Sequence, residues 1–435
     1  MDNQKHHTPG RDMRHWSIQF LLYALLCGPA WGAAYYVDPV NGNAANPGSA
    51  ERPWLSLKEA LAPGRLAAGD TVYLRTGDYG SIAITGRHDG FVTLQAVEGQ
   101  QARASSVRFR NARFWCIRGL TVSAAFAEPY KRQNLIDVGK DAADIAVEGC
   151  TLYSVEDSFD WSAEDWVAKA CNGIMVNGTR VRIDGNYLLN VAFGINVSGT
   201  HNTVTCNTVE NFSGDGMRAL GDDCVFRRNI IKNCYNVDDN HDDGIQSWST
   251  GPGGVGTGVV KNVILDGNLI INTTDPDQKH RGTLQGIGCF DGMFENWLIV
   301  NNIIVVDHFH GISLYGAKNC RILNNTVIDN RPGRPVPWIM ITKHKKGMPS
   351  TDNIVRNNLT QQPISPRELN QVDHNVVITD LEAFFANWRD FDFRLKPGCA
   401  AIGAGSNEGL FETDFFGNTR ASGTTIDAGA LQSKP

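Results

Sequence analysis

Four aspartates and a histidine fall within six positions of one another: Asp238, Asp239, His241, Asp242 and Asp243. The run leads directly into a strand-like stretch, Ile245–Trp248. So much charge beside an apolar strand is costly unless a cation, a proton or a substrate offsets it. Clustered carboxylates of this kind can hold a divalent ion or share a proton as an acid/base couple. The remaining reading is a solvated acidic patch, neutralised by Arg218, Lys279 and Arg281.

The scaffold that must position these groups is a repeat. One anchor recurs as Asn172-Gly-Ile, Phe193-Gly-Ile, Asp215-Gly-Met, Asp243-Gly-Ile, Gln285-Gly-Ile and His310-Gly-Ile. The glycines are 21, 22, 28, 42 and 25 residues apart. A second anchor is asparagine, at positions 186, 207, 229, 268, 302, 325 and 358. A short period with variable length predicts a solenoid of three short strands per coil, its loops differing on one face. The asparagines are expected to stack and hydrogen-bond from coil to coil.

Alternation along each strand sorts the side chains. The columns headed by Ile174 (through Ile195, Met217, Ile245, Ile287, Ile312) and Val176 are apolar or small and point inward. The residues before the glycines then point outward, which brings Asp215 and Asp243 onto neighbouring coils about 4.8 Å apart, with Asp242 alongside. Arg218, Gln246 and His310 share that side, and Trp248, Phe290 and Tyr315 form an aromatic stripe beside the acids. Long loops flank the same coils and carry Lys279, Arg281 and Lys343. A cleft lined by acids, bases and aromatics suits a polysaccharide.

The two ends and the composition complete the frame. Residues 1–32 read as a cleaved export signal: Lys5, Arg11 and Arg14, an apolar Ile18–Cys27, then the small residues near Ala30 and Gly32. The apolar run is too short to span a membrane, so the chain is expected to be secreted or periplasmic, unanchored and monomeric. Residues 33–435 are expected to be one domain: a cap over 33–80 with a short amphipathic helix in Pro53–Leu61, coils over 81–360, and a closing segment over 361–435. Ser154–Ala170 reads as an inserted loop. The formal charge is −6, with no basic block, which argues against nucleic acid. Nine cysteines follow the signal without CxxC spacing, and those in the repeat, Cys206, Cys224, Cys234, Cys289 and Cys320, read as buried small hydrophobes.

The helix before Gly69-Asp-Thr-Val-Tyr-Leu, the glycine and asparagine repeats, and the end series Ala400-Ala-Ile-Gly-Ala-Gly and Ile426-Asp-Ala-Gly-Ala together resemble the pectate-lyase-like right-handed parallel β-helix superfamily of secreted carbohydrate-active proteins. The resemblance covers nearly all of Tyr35–Gln432. It implies an all-β, right-handed parallel β-helix solenoid with an N-terminal capping helix and a C-terminal closing segment.

Asp215-Gly and Asn240-His-Asp-Asp-Gly-Ile-Gln resemble the calcium-dependent bacterial pectate lyases. That resemblance implies calcium on Asp215, Asp242 and Asp243 and a lyase acting on an anionic uronic-acid polysaccharide. The family's further aspartate falls on Gln246, and its catalytic lysine falls near Gly288, so Lys279, Arg281 or Arg218 would have to serve instead. The order Asp215, Asp242-Asp243, His310-Gly, Lys343 also resembles the polygalacturonases. That implies the alternative of a glycoside hydrolase with acid and base aspartates. A uronan C5-epimerase and a non-catalytic carbohydrate-binding β-helix rank behind these. In all of the enzymatic readings the catalytic candidates are Asp242, Asp243, Arg218, Lys279, Arg281 and His310. The substrate-binding candidates are Trp248, Phe290, Tyr315, Gln246 and Lys343.

Overall fold

A computed structural model describes residues 32–433 apart from 276, 332–335, 367–368, 410 and 421–424. The expected signal segment therefore lies outside the described residues, save for Gly32. Among the described residues no helix is long and apolar enough to cross a membrane.

The strands stack in parallel as three faces of a solenoid. The first face holds the glycine anchors and runs through Asn172–Val176, Ile195–Val197, Met217–Ala219, Asp243–Trp248, Gln285–Asp291, His310–Tyr315 and Trp338–Thr342. The second runs through Arg182–Asp184, Thr203–Thr205, Val225–Arg227, Ile264–Asp266, Leu298–Val300 and Arg321–Leu323. The third begins just after each ladder asparagine, as in Tyr187–Val191, Thr208–Phe212 and Ile230–Cys234. Parallel pairing starts with Ala34–Val37 and continues to Val376–Val377, so the coils run past the expected bounds on both sides.

The register follows the inward columns read from the sequence. Ile174, Ile195, Met217, Ile245, Ile287 and Ile312 are successive partners, each at most 1% exposed. The repeated glycine has a steric cause. A β-carbon on Gly216 would lie 2.4 Å from Ile231, on Gly244 2.5 Å from Ile270, and on Gly311 2.4 Å from Val327. Third-face side chains fill the corner, so the chain can turn there only without a side chain of its own.

The asparagine ladder is continuous. Nδ2 of Asn186 donates to Oδ1 of Asn207 at 2.9 Å, and the same bond recurs through Asn229, Asn268, Asn302, Asn325 and Asn358 to Asn375 at 2.9–3.0 Å. Each amide also donates to a backbone carbonyl of the preceding coil, such as Asn229 to Val204. Burying them this way leaves few polar groups unpaired.

The capping helix α1 (Leu57–Ala60) is a single turn. It begins with a capping box between Ser56 and Glu59 and buries Leu57 and Ala60. The closing residues cover the outside of the third face: Phe384, Phe385, Phe393, Ala428 and Leu431 pack on Ile271, Ile303, Val305 and Ile328. The stretch 154–170, expected as a loop, contains helix α2 (Ala163–Lys169), begun by Ser162 and Asp165. Its Trp166 is fully buried against Tyr235 and Trp161. The nine described cysteines are free thiols, and the four repeat cysteines other than Cys206 are buried; Cys206 is exposed, in a turn with a left-handed backbone.

Candidate functional site

The corner glycines determine where the acids go. With the inner side of Gly216 and Gly244 closed by Ile231 and Ile270, Asp215 and Asp243 turn away from the core. The backbone N–H of Asp243 donates to Oδ1 of Asp215 at 3.0 Å, and Arg218 Nε donates to Oδ2 at 2.6 Å. The Arg218 guanidinium lies 3.9 Å from the ring centroid of Phe193 and 5.0 Å from that of Trp248. Two rings and a carboxylate thus fix one cation, whose remaining N–H groups have no partner among the described residues.

The acids do not meet solvent as expected. Asp215, Asp242 and Asp243 are 1%, 3% and 0% exposed. The long coil between Gly216 and Gly244 folds its own loop, 235–242, over them. Asp242 closes that loop: Oδ2 accepts from Asn236 Nδ2 (2.5 Å) and Cys234 Sγ (3.4 Å), and Oδ1 from Asn240 Nδ2 (2.8 Å). Burial pushes its carboxyl up to about 7, against the pull of Asn240 and Cys234.

Asp243 faces the other way. Its Oδ2 accepts from Gln246 Nε2 at 3.0 Å and lies 3.3 Å from His241 Nδ1. Its Oδ1 is buried with no hydrogen-bond partner. Burial raises the Asp243 carboxyl, while the bond to Asp243 raises the His241 imidazole above its usual 6.5. The His241 side chain is 62% exposed, and its Nε2 has no partner among the described residues. With Nδ1–H directed at Asp243, the Nε2 lone pair faces outward. This is a carboxylate–histidine dyad on the same outward side as Arg218.

The other candidates divide. Gln246 belongs to the dyad, since its amide is used on Asp243. A bulge between Ser247 and Trp248 pairs Trp248 with Asp291, which breaks the expected aromatic stripe in two. Trp248 joins Arg218, and Phe290 joins His310 (4.8 Å), Tyr315 (5.3 Å) and His241 (6.5 Å). Burial and the imidazoles of His308 and His241 lower His310 to about 4. Lys279 stands away from the dyad: Nζ donates to the Phe159 carbonyl at 2.7 Å, 4.0 Å from the Phe159 ring, and ties its loop to the inserted segment. Arg281 lines a separate depression with Gly282, Thr283 and Arg331. Lys343 is exposed, and its loop brings Lys345 instead to Asp291 (3.0 Å) and Phe290 (6.0 Å).

The acids do not fit calcium as they stand. The ion takes six to eight oxygens, but both oxygens of Asp215 and of Asp242 are bonded to protein donors, as is Oδ2 of Asp243. Only Oδ1 of Asp243 is unpartnered. Among the described residues no three His, Cys, Asp or Glu side chains converge on a metal position.

In the sequence His241 stands out only as a member of the acidic cluster and is not among the catalytic candidates, although a histidine two residues before an outward aspartate is a usable signal. Phe193 and Ser313 fall in the outward columns without an assigned role, and Trp338, one coil past the last glycine anchor, carries no signal in the repeat.

Residues 172–359 match the family described as right handed beta helix region. The fold is a right-handed parallel β-helix. Among solved structures it is similar to pectate lyase Pel9A, at 15% identity and TM-score 0.54, covering 92% of this chain and 96% of the other. It is also similar to XylC in complex with xylose, at 10% identity and TM-score 0.57, covering 92% and 99%. At these identities the likeness is one of fold.

Proposed function

We propose that the protein is a secreted carbohydrate-active enzyme, a lyase that cleaves a uronic-acid-containing polysaccharide by β-elimination. The observation that carries this reading is the exposed His241, held by buried Asp243, on the face that also presents the fixed cation Arg218. Elimination needs both parts. Arg218 pairs with the uronate carboxylate and so acidifies the C5 hydrogen. His241 Nε2 takes that proton, the C4=C5 double bond forms, and the C4–O bond breaks as the departing oxygen takes a proton from water. A hydrolytic carboxylate pair would have to reach the sugar, and all three aspartates are enclosed and bonded to protein groups. The fold shared with a pectate lyase and with a xylose-binding structure fits a carbohydrate substrate, and the export signal read at the N-terminus fits a polymer met outside the cell.

The test is incubation with polygalacturonate, alginate and glucuronoxylan, following the ultraviolet absorbance of the unsaturated uronate. New absorbance with at least one polymer is expected. Release of saturated reducing ends without that absorbance would replace elimination by hydrolysis.

A further inference from the structure

Beyond Arg218 the first face carries a second group of side chains. Arg218, Gln246, Gly288 and Ser313 are successive register partners. Ser313 therefore lies three coils on, about 14 Å at ordinary strand spacing. That is further than one sugar residue reaches from the cation.

Ser313 is fully buried, and its Oγ has two partners, Trp338 Nε1 at 3.0 Å and His310 Nδ1 at 2.8 Å. An indole nitrogen only donates. The serine hydrogen therefore has one acceptor, His310 Nδ1, and leaving it unpaired in the interior is costly. This fixes the imidazole as the Nε2–H tautomer. With its pKa lowered to about 4, by burial and then by His308 and His241, the ring remains neutral. Its Nε2 has no partner among the described residues and is not enclosed.

Aromatic faces surround this donor. Phe309 is 36% exposed, with its ring 4.3 Å from His310 and 4.7 Å from Trp338. Trp338 is 5.2 Å from His310, and its orientation is held by the bond to Ser313. A register break between His310 and Ile312 sets Trp338 directly opposite His310. A neutral N–H donor among half-exposed rings suits a pyranose, whose C–H face stacks on an aromatic ring while a hydroxyl oxygen accepts a hydrogen bond.

We propose that Phe309, His310 and Trp338 form a distal sugar subsite, which binds the ring face and one hydroxyl of a residue further along the glycan chain held at Arg218. Ser313 is its positioning residue. The proposal rests on the reading of the protein as polysaccharide-active, but not on elimination as the chemistry.

Affinity electrophoresis tests it with the full-length mature protein in gels containing polygalacturonate, alginate or glucuronoxylan. The wild type is expected to be retarded in at least one gel. Phe309→Ala and Ser313→Ala should each weaken that retention about tenfold. Phe309 is partly exposed, so its removal leaves the core intact and decides the matter even if Ser313→Ala fails to fold. Loss of retention in Phe309→Ala, with no unsaturated product from any polymer, would leave the subsite standing and remove the lyase reading. Unchanged retention in Phe309→Ala, or a wild type retarded in none of the gels, would overturn the subsite.

Discussion

Asp243 Oδ1 occupies the space that a side chain at Gly288 would need: a β-carbon built on that glycine falls 2.1 Å from the oxygen. The two residues sit on adjacent coils, with Gly288 the register partner of Gln246. The space at Gly288 admits a buried carboxylate, and in the proposed elimination the proton acceptor would come from the adjoining loop as His241.

This relationship gives a first prediction. Gly288→Ala should push Asp243 off His241 and lower kcat by on the order of 10²-fold, the scale of a disturbed general base. The other atom in the way is Phe290 Cε2, the far end of a side chain, so the thermal midpoint should change little. Kinetics and calorimetry on the same preparation separate the two effects. Wild-type kcat in this variant would mean that Asp243 does not act through its present position.

The dyad itself is tested more directly. His241→Ala should lower kcat by about 10²–10⁴-fold. Asp243→Asn should do nearly as much, because an amide no longer fixes the Nδ1–H tautomer. Added imidazole should restore part of the activity of His241→Ala and none of that of Asp243→Asn. Full activity in His241→Ala would place the base elsewhere.

Much of this architecture is legible in the sequence. The inward isoleucine columns and the asparagine ladder follow from period and alternation alone, because each coil repeats the same packing problem. Two kinds of feature were not legible. The bulge after Ser247 shifts the register by one, so Trp248 and Phe290 part company although their spacing from the glycines matches. The roof over the acids depends on how loop 235–242 folds back and on α2 behind it, and neither carries a periodic signal. Lys279 illustrates the same limit: its charge suggested catalysis, whereas its contacts are with Phe159 and Asp160 of the insertion.

The asparagine ladder predicts a large stability cost for a single change. Asn229→Ala would strip Oδ1 from two donors on Asn207 and Nδ2 from the Val204 and Asn268 oxygens, all of them buried. At about 1–3 kcal/mol for each group left unpaired, denaturant unfolding should show a loss of several kcal/mol. A loss below about 1 kcal/mol would mean that water replaces the amide.

Chelation should leave the activity unchanged, since the oxygens of Asp215 and Asp242 are already bonded to Arg218, Asn236, Asn240, Cys234 and the Asp243 amide. Assay after exhaustive dialysis against a chelator, with and without added calcium, measures this. Calcium-dependent recovery would show that the loop reopens these carboxylates to the ion.

Activity and stability should respond to pH in opposite directions. Elimination needs His241 deprotonated, and Asp243 raises its pKa above 6.5, so kcat/KM should climb with pH through that raised value. Asp243→Asn removes the carboxylate, so the residual activity should begin its climb at lower pH. For stability the relevant group is Asp242. Burial raises it from 3.8 to about 7 in the folded chain. A group raised on folding contributes its full stability below the unfolded value and loses it as pH rises through the folded one. The loss should therefore run from about pH 4 to about pH 7, at up to about 1.4 kcal/mol per pH unit, and then level off. Asp243, raised by burial in the same direction, adds to it. Urea unfolding across this window should show the decline, and Asp242→Asn should flatten part of it. A wild type that gains stability from pH 4 to 7 would mean that the donors on Asp242 outweigh its burial and keep the carboxylate ionised.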